Sequence, residues 1–525
     1  NNWVLFQSLN RIYVYNTKDS SFKIIESNTR LTDIFNVNGT IYFQKLNDGI
    51  YKIENGIGVE VSDHDLVKDN IVVNIFSYKN KLLIETQEKG FHFLDNNEIV
   101  KWNIPANETL NNVSVYSSIQ LKDKSFILGT ISHGIIHMSA NGEINKKINQ
   151  NNGLSNNTVL SLFEDVDNNI WLGLDNGINC LNINSPFSIF TNDIGDLGTV
   201  YASAFFKDYL YLGTNQGLFY RVKDSNNTFQ FIEGTKGQVW CLEIINDTLF
   251  CGHNTGTMII DDNKVLNIDN TAGTWNIQTI DGDSNLLLQG KYDGLNVLEY
   301  DGAWKFRNRI EGFNNASRFV EQYKNQEIFV NHEYKGVFKI SMDQHYGRAI
   351  RVVKDSTAPE GLHSSLLKYK DELLYCYEEG VFTFDESLNS FKRDSIYSKL
   401  MDDQMFISGK LVSDDTSAKL WNFTNRNINY LSPGKLSDVP SIKTIALPSS
   451  LRNSKTGYEN ITHLVEEQYL FGTSSGYIII DLNKLSNQVH EISINSVTKN
   501  VLNKAPTRLN KYIEGEFNNQ ENNIE

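Results

Sequence analysis

With 525 residues, 40% of them hydrophobic and 11% aromatic, the chain can form a large core and is too long for one ordinary domain. Its net charge of −15 repels phosphate, which argues against nucleic acid and anionic membrane surfaces as partners of this region. No apolar run approaches the roughly 20 residues of a membrane helix. The chain opens Asn1-Asn2-Trp3, without initiator Met or signal peptide, as expected of an internal fragment.

Taken in order, one phrase recurs: an apolar strand, a polar break of four or five residues that usually contains Gly, and a second apolar strand. It occurs at 3–15, 41–53, 82–94, 126–138 and 170–181. It continues at 210–222, 249–260, 286–298, 328–340 and 373–384, then in a degenerate copy at 420–431 and a last one at 469–480. A further alternating run that would be the innermost strand is expected before each copy, as at 159–163, 200–206, 239–245 and 275–280, and outer strands are expected at 229–232, 303–306 and 391–393. Asn, Asp and Gly in the breaks supply the positive φ of tight hairpins. Units of this kind at a spacing of roughly 40 residues or a little more predict four-stranded propeller blades. The fold class is therefore all-β.

Twelve blades exceed one ring, since propellers usually carry about four to eight. Ser185-Pro186-Phe187 interrupts the rhythm after the fifth copy. The predicted organisation is two β-propellers in tandem. Residues 1–185 hold five blades of a seven-bladed ring with about two missing upstream, and 186–490 hold a complete seven-bladed ring. Residues 491–525 read as a linker and the start of another domain.

The most regular unit reads NGLSNNTVLSLFEDVDNNIWLGLDNGINCL at 152–181. Gly153-Leu154-Ser155, Asp165, Asn169-Ile170-Trp171, Gly173 and Gly177-Ile178 resemble the two-component-regulator propeller repeat, with Asn168 in place of the turn Gly and Leu174 in place of Thr. Leu212 to Leu218 and Phe471 to Gly476 resemble it next best. The resemblance implies the periplasmic sensor of a Bacteroidetes inner-membrane regulator, with an immunoglobulin-like triple-tyrosine domain beginning after residue 490. A membrane helix and a histidine kinase or helix-turn-helix output would follow beyond Glu525.

Local catalytic motifs fail on inspection. His133 and His137 have zinc-protease spacing, but Gly134 stands where the glutamate should be and the stretch is a hairpin. Asp165-x-Asp167-x-Asn169 begins like a calcium loop but lacks its Gly and its terminal Glu. Cys180, Cys241, Cys251 and Cys376 lie in strand-like runs; Cys241 and Cys251 flank the Asn246-Asp247 turn, where a cross-strand disulfide is conceivable and buried free thiols are preferred. No catalytic residue, metal or cofactor is expected.

Aromatic residues recur near the start of the inner strands: Trp3, Tyr201, Trp240, Trp275 and Phe319. Rings at the mouth of a propeller channel suit stacking on sugars or peptide side chains, although plugging the channel or packing between blades is the preferred account of large aromatics there. His253, Lys291, Tyr292, His332 and Glu333 depart from the usual hairpin turn and complete the candidate ligand site. The expectation is a non-enzymatic sensor that binds a small glycan or peptide, forms a homodimer and signals by rearrangement. It would touch the membrane only through a segment outside this chain. Alternatives are a propeller lyase or glycosidase and a structural or secretion-associated scaffold.

Overall fold

The computed structural model describes residues 3–95, 98–150, 153–191, 197–223, 228–401, 406–434, 440–448, 451–485, 497–499 and 507–509. Residues Asn1–Leu482 form one compact unit and Asn483–Glu525 a second. Within the second, Val497–Lys499 pairs antiparallel with Thr507–Leu509; the expected onset of an immunoglobulin-like domain otherwise lies outside the described residues.

The first unit is all-β, built of antiparallel sheets that follow one another along the chain. Each repeated phrase becomes two adjacent, paired strands of one sheet, the two middle ones in every four-stranded sheet, as Leu210–Val222 does in Tyr209–Thr214 and Leu218–Val222. The turn chemistry explains the motif. Thr214 Oγ1 accepts from the backbone N–H groups of Gln216 and Gly217 and donates to Gly217 O, while Gly217 takes φ +146°. In the most regular unit, Asp165 accepts from the N–H groups of Asp167 and Asn169, both at 2.9 Å, and from Trp171 Nε1 at 2.9 Å. The indole bond is the main reason its carboxyl is held down to about 2. Asn168 adopts φ +63°, a conformation Asn tolerates, so it can replace the turn Gly.

Seven sheets, over residues 200–231, 239–269, 274–309, 319–354, 365–393, 406–446 and 461–481, close on themselves. Their inner strands are neighbours in succession, and Val200–Phe206 of the first meets Ile461–Val465 of the last. Across that seam Ser203 Oγ donates to Thr462 Oγ1 at 2.8 Å and Asn460 Nδ2 to Val200 O at 3.0 Å. The last sheet takes its outer strand from upstream: Phe187–Thr191 pairs with Gly476–Asp481, and Phe190 stacks on Tyr477 at 4.7 Å. Glycine at the hairpin lets the next blade approach. A Cβ on Gly290 would stand 2.0 Å from Ser317 O.

The sheets at 31–62, 72–101 and 115–148 are also four-stranded. Those at 3–26 and 159–181 have three strands. Among the described residues the former begins with the repeated hairpin itself, so the expected position of Trp3 at the head of an inner strand is not observed: Trp3 lies on the first strand of the hairpin and faces Asn16.

The possible disulfide does not form. Cys241 faces Gly252 and Cys251 faces Leu242, so the two thiols point to opposite faces of the sheet, and all four cysteines are free.

Candidate functional site

The inner strands of three adjacent ring sheets share one irregularity. Val200 pairs with Thr214 but Ala202 with Gly213; Val239 with His253 but Cys241 with Gly252; Thr274 with Lys291 but Asn276 with Gly290. The extra residue of each bulge is Tyr201, Trp240 or Trp275. A bulge re-aims the side chain it carries, and here it turns three rings toward one another. Tyr201 and Trp240 lie 5.1 Å apart by ring centroid, and Trp240 and Trp275 4.4 Å apart. Tyr292 joins from the third sheet's hairpin, 5.1 Å from Trp275, and its hydroxyl accepts from Trp240 Nε1 at 2.8 Å.

In the fourth ring sheet the register begins at Phe319 opposite Asn331, so the residue next to the three aromatics is Arg318. Its guanidinium lies 3.8 Å from the ring centroid of Tyr458, 5.4 Å from Trp275 and 5.1 Å from Phe319. It pairs with Glu333 at 3.2 Å and donates to Gly457 O. Tyr458, from the connection before Ile461–Val465, contacts Tyr201, Trp240 and Trp275 at 5.2, 5.5 and 6.1 Å. The rings are half-buried; Tyr292 is 37% exposed.

Charged groups from several blades gather next to this cluster. Lys410 lies 5.0 Å from the Phe319 ring. Burial and, next, repulsion by Arg318 bring its ammonium down to about 8, opposed by Glu459, Glu243 and Glu321. Burial pushes Glu243 up to about 7 and Glu321 up to about 8. Glu459 is also raised by burial, while Ser408 Oγ and the Gly457 N–H donate to its carboxylate. Three carboxyl groups and two cations thus influence one another in the ring interior.

Four of the expected residues come together here: Tyr201, Trp240, Trp275 and Tyr292. Phe319 and Glu333 support Arg318. Trp3 is half exposed in the sheet at 3–26, away from this ring's inner strands. His253 is buried, its Nδ1 bonded to Thr255 Oγ1 at 2.7 Å and its Nε2 to Thr235 O at 3.2 Å, and burial lowers its pKa. Lys291 is buried completely, bonded to Asp269 (3.1 Å), Thr271 O (2.7 Å) and Thr274 Oγ1 (2.7 Å). Both side chains therefore serve the scaffold. His332 bonds the N–H of Tyr334 and stacks edge-on to its ring. A hollow beside Tyr292 is lined by Thr271, Ala272, Asp293, Asn296 and Arg309, with the Lys291–Asp269 pair beneath Asn296.

Sequence reasoning missed Arg318, Tyr458 and Lys410. For Arg318 a signal existed, since it precedes Phe319 at the position that is aromatic in three sister blades. For Tyr458 there was none, because it lies in a connection outside the repeat. Among the described residues no group of three His, Cys, Asp or Glu side chains could hold a metal ion.

The fold is that of a β-propeller protein, and Tyr201, Trp240, Trp275, Tyr458 and Arg318 form one aromatic and cationic cluster in it. The family described as two component regulator propeller matches residues 153–176, the unit on which the sequence resemblance rests. No curated protein sequence matches the chain. The extracellular domain of a hybrid two-component system from B. thetaiotaomicron is similar in structure. It aligns over 97% of this chain and 71% of its own, with a TM-score of 0.67 at 16% identity, a likeness of fold. The extracellular domain of a one-component system from B. thetaiotaomicron aligns over 93% of this chain and 70% of its own, at 15% identity and a TM-score of 0.44.

Proposed function

We propose that the chain is the extracytoplasmic, ligand-sensing part of a bacterial transmembrane regulator, and that it reads a small glycan or peptide at the rim of its seven-sheet ring. The observation that carries this reading is the convergence of Tyr201, Trp240, Trp275 and Tyr292 on one mouth beside Arg318. Partly exposed rings offer flat apolar faces for sugar C–H groups or peptide side chains, and nearby charge adds orientation. The regulator-type repeat at 153–176 supports a role in signalling. Among the described residues no helix is long and apolar enough to cross a membrane; in this reading the membrane is reached through a segment outside this chain. In this reading residues 1–185 and 186–490 are two propellers, and binding changes their packing within a homodimer.

Calorimetry against glycan and peptide panels tests the site. Binding to the native chain should weaken at least tenfold in Trp240→Ala and in Trp275→Ala. Undiminished binding in both variants would remove the rim from consideration. A second reading, a carbohydrate-active enzyme, is favoured by Glu243 and Glu321, whose carboxyl groups lie in the range suited to general acids. Product formation from the same panel, lost in Glu321→Gln, would establish that reading instead.

A further inference from the structure

Tyr458 occupies the middle of the platform. Its ring touches three of the four aromatic side chains around the mouth, and Arg318 stacks on it at 3.8 Å. The backbone beneath it is pinned. Tyr458 N donates to Lys455 O at 2.9 Å, the Gly457 N–H to Glu459 at 3.1 Å, and Asn460 Nδ2 to Val200 O at 3.0 Å. By contrast, no hydrogen bond is found for the Tyr458 hydroxyl among the described residues, although the neighbouring Tyr292 hydroxyl has one. The ring is held by stacking alone, and Arg318 is in turn fixed by Glu333 and Gly457 O.

We infer that Tyr458 is an internal occupant of the platform, clamped by Arg318, and that a ring-bearing ligand must displace it. This rests on the proposed rim site and adds an autoinhibitory contact to it. Because the backbone is pinned, the displacement is a rotation of the side chain about χ1 and needs no loop opening. The apparent affinity of the site is then lowered by the fraction of molecules in which Tyr458 is stacked. A ligand able to pair with Arg318 gains twice, since it unclamps the ring and takes its place.

The probe is p-cresol, which reproduces the tyrosine side chain, titrated against the native chain, Arg318→Gln and Tyr458→Gly by saturation-transfer NMR. Arg318→Gln keeps the ring and removes its clamp, so it should bind p-cresol at least threefold more tightly than the native chain. Tyr458→Gly, with the slot vacated, should bind at least tenfold more tightly. Adding Trp275→Ala to either variant should abolish the gain. A gain in Tyr458→Gly with none in Arg318→Gln would show a fixed core residue and overturn the proposal, as would equal binding in all three proteins. Acrylamide quenching gives a second reading that needs no added ligand. Fluorescence from Trp240 and Trp275, isolated by difference against the double Phe variant, should become more accessible in Arg318→Gln, and unchanged accessibility counts against the clamp. The panel calorimetry above fails independently if the rim is not the ligand site.

Discussion

The closed ring of seven sheets and the five sheets before it are written in the same local code yet bury their apolar residues differently. In the ring, every inner strand has a neighbour on both sides, and the seam is bonded through Ser203, Thr462, Asn460 and Val200. Among the five, the sheets at 3–26 and 159–181 have three strands each among the described residues, and large apolar residues of both stand in the open. Phe6 is 57% exposed in the first, and Phe163 and Ile178 are 63% and 71% exposed in the fifth. The hairpins of the fifth sheet are the most regular of all, so regularity and burial are separate properties. A blade's strands follow from its own turns, whereas its core depends on the blade beside it.

The polar interiors differ in the same way. The ring compensates its buried charge, with Asp269 against Lys291 at 3.1 Å and carboxyl groups around Lys410. The earlier sheets hold Glu85 fully buried beside Ser118, and its carboxyl is pushed up to about 8 by burial, with Ser118 opposing.

The largest expected effect breaks the compensated side of this contrast. Lys291→Ala leaves Asp269 buried without its cation and should cost about 3–5 kcal/mol in urea unfolding. Lys291→Ala with Asp269→Ala should recover part of that loss, and equal loss in single and double variants would mean the pair is not coupled. Next comes Phe329→Ala, a fully buried ring in the closed part, at about 3–5 kcal/mol.

Glu85 sharpens the contrast through pH. Its pKa rises from an ordinary 4.5 to about 8 on folding, so the folded state prefers the protonated form. The stability this contributes is complete below about 4.5 and is lost as pH climbs toward 8. Glu243 and Glu321 act in the same direction, so Glu85→Gln should flatten only part of the slope of melting temperature against pH. Lys410 acts oppositely: its pKa is depressed to about 8, and its contribution is lost as pH falls through that value. An unchanged slope in Glu85→Gln would show that water or a donor reaches the carboxylate. The smallest effect is on the open faces. Phe163→Ser with Ile178→Thr should stay within about 0.5 kcal/mol of the native stability, while binding of a hydrophobic dye falls. A larger loss would mean that those faces are covered in solution.

Most of the fold was legible in the residues because hairpins are local. Period-two apolar runs and Asn, Asp and Gly turns located one paired hairpin in each of the twelve sheets, and the interruption at Pro186 lies next to the strand that completes the last sheet. The candidate site was legible in part. Tyr201, Trp240 and Trp275 sit at matching points of their repeats and were found by alignment of those repeats. His253 and Lys291 departed from the turn pattern for a different reason, since they fill buried positions, and Trp3 lies on a strand of the repeated hairpin itself, facing Asn16.

The amino-acid sequence by itself determined the strands, their turns and the blade repeat, since each is set by contacts within some 40 residues. Tertiary structure alone decided that Tyr458 and Lys410 meet the aromatic cluster, which acidic groups Lys410 and Arg318 face, and which apolar faces are covered. Tyr201 and Tyr458 are neighbours only because Val200–Phe206 meets Ile461–Val465 when the ring closes, and no periodicity along the chain encodes that meeting.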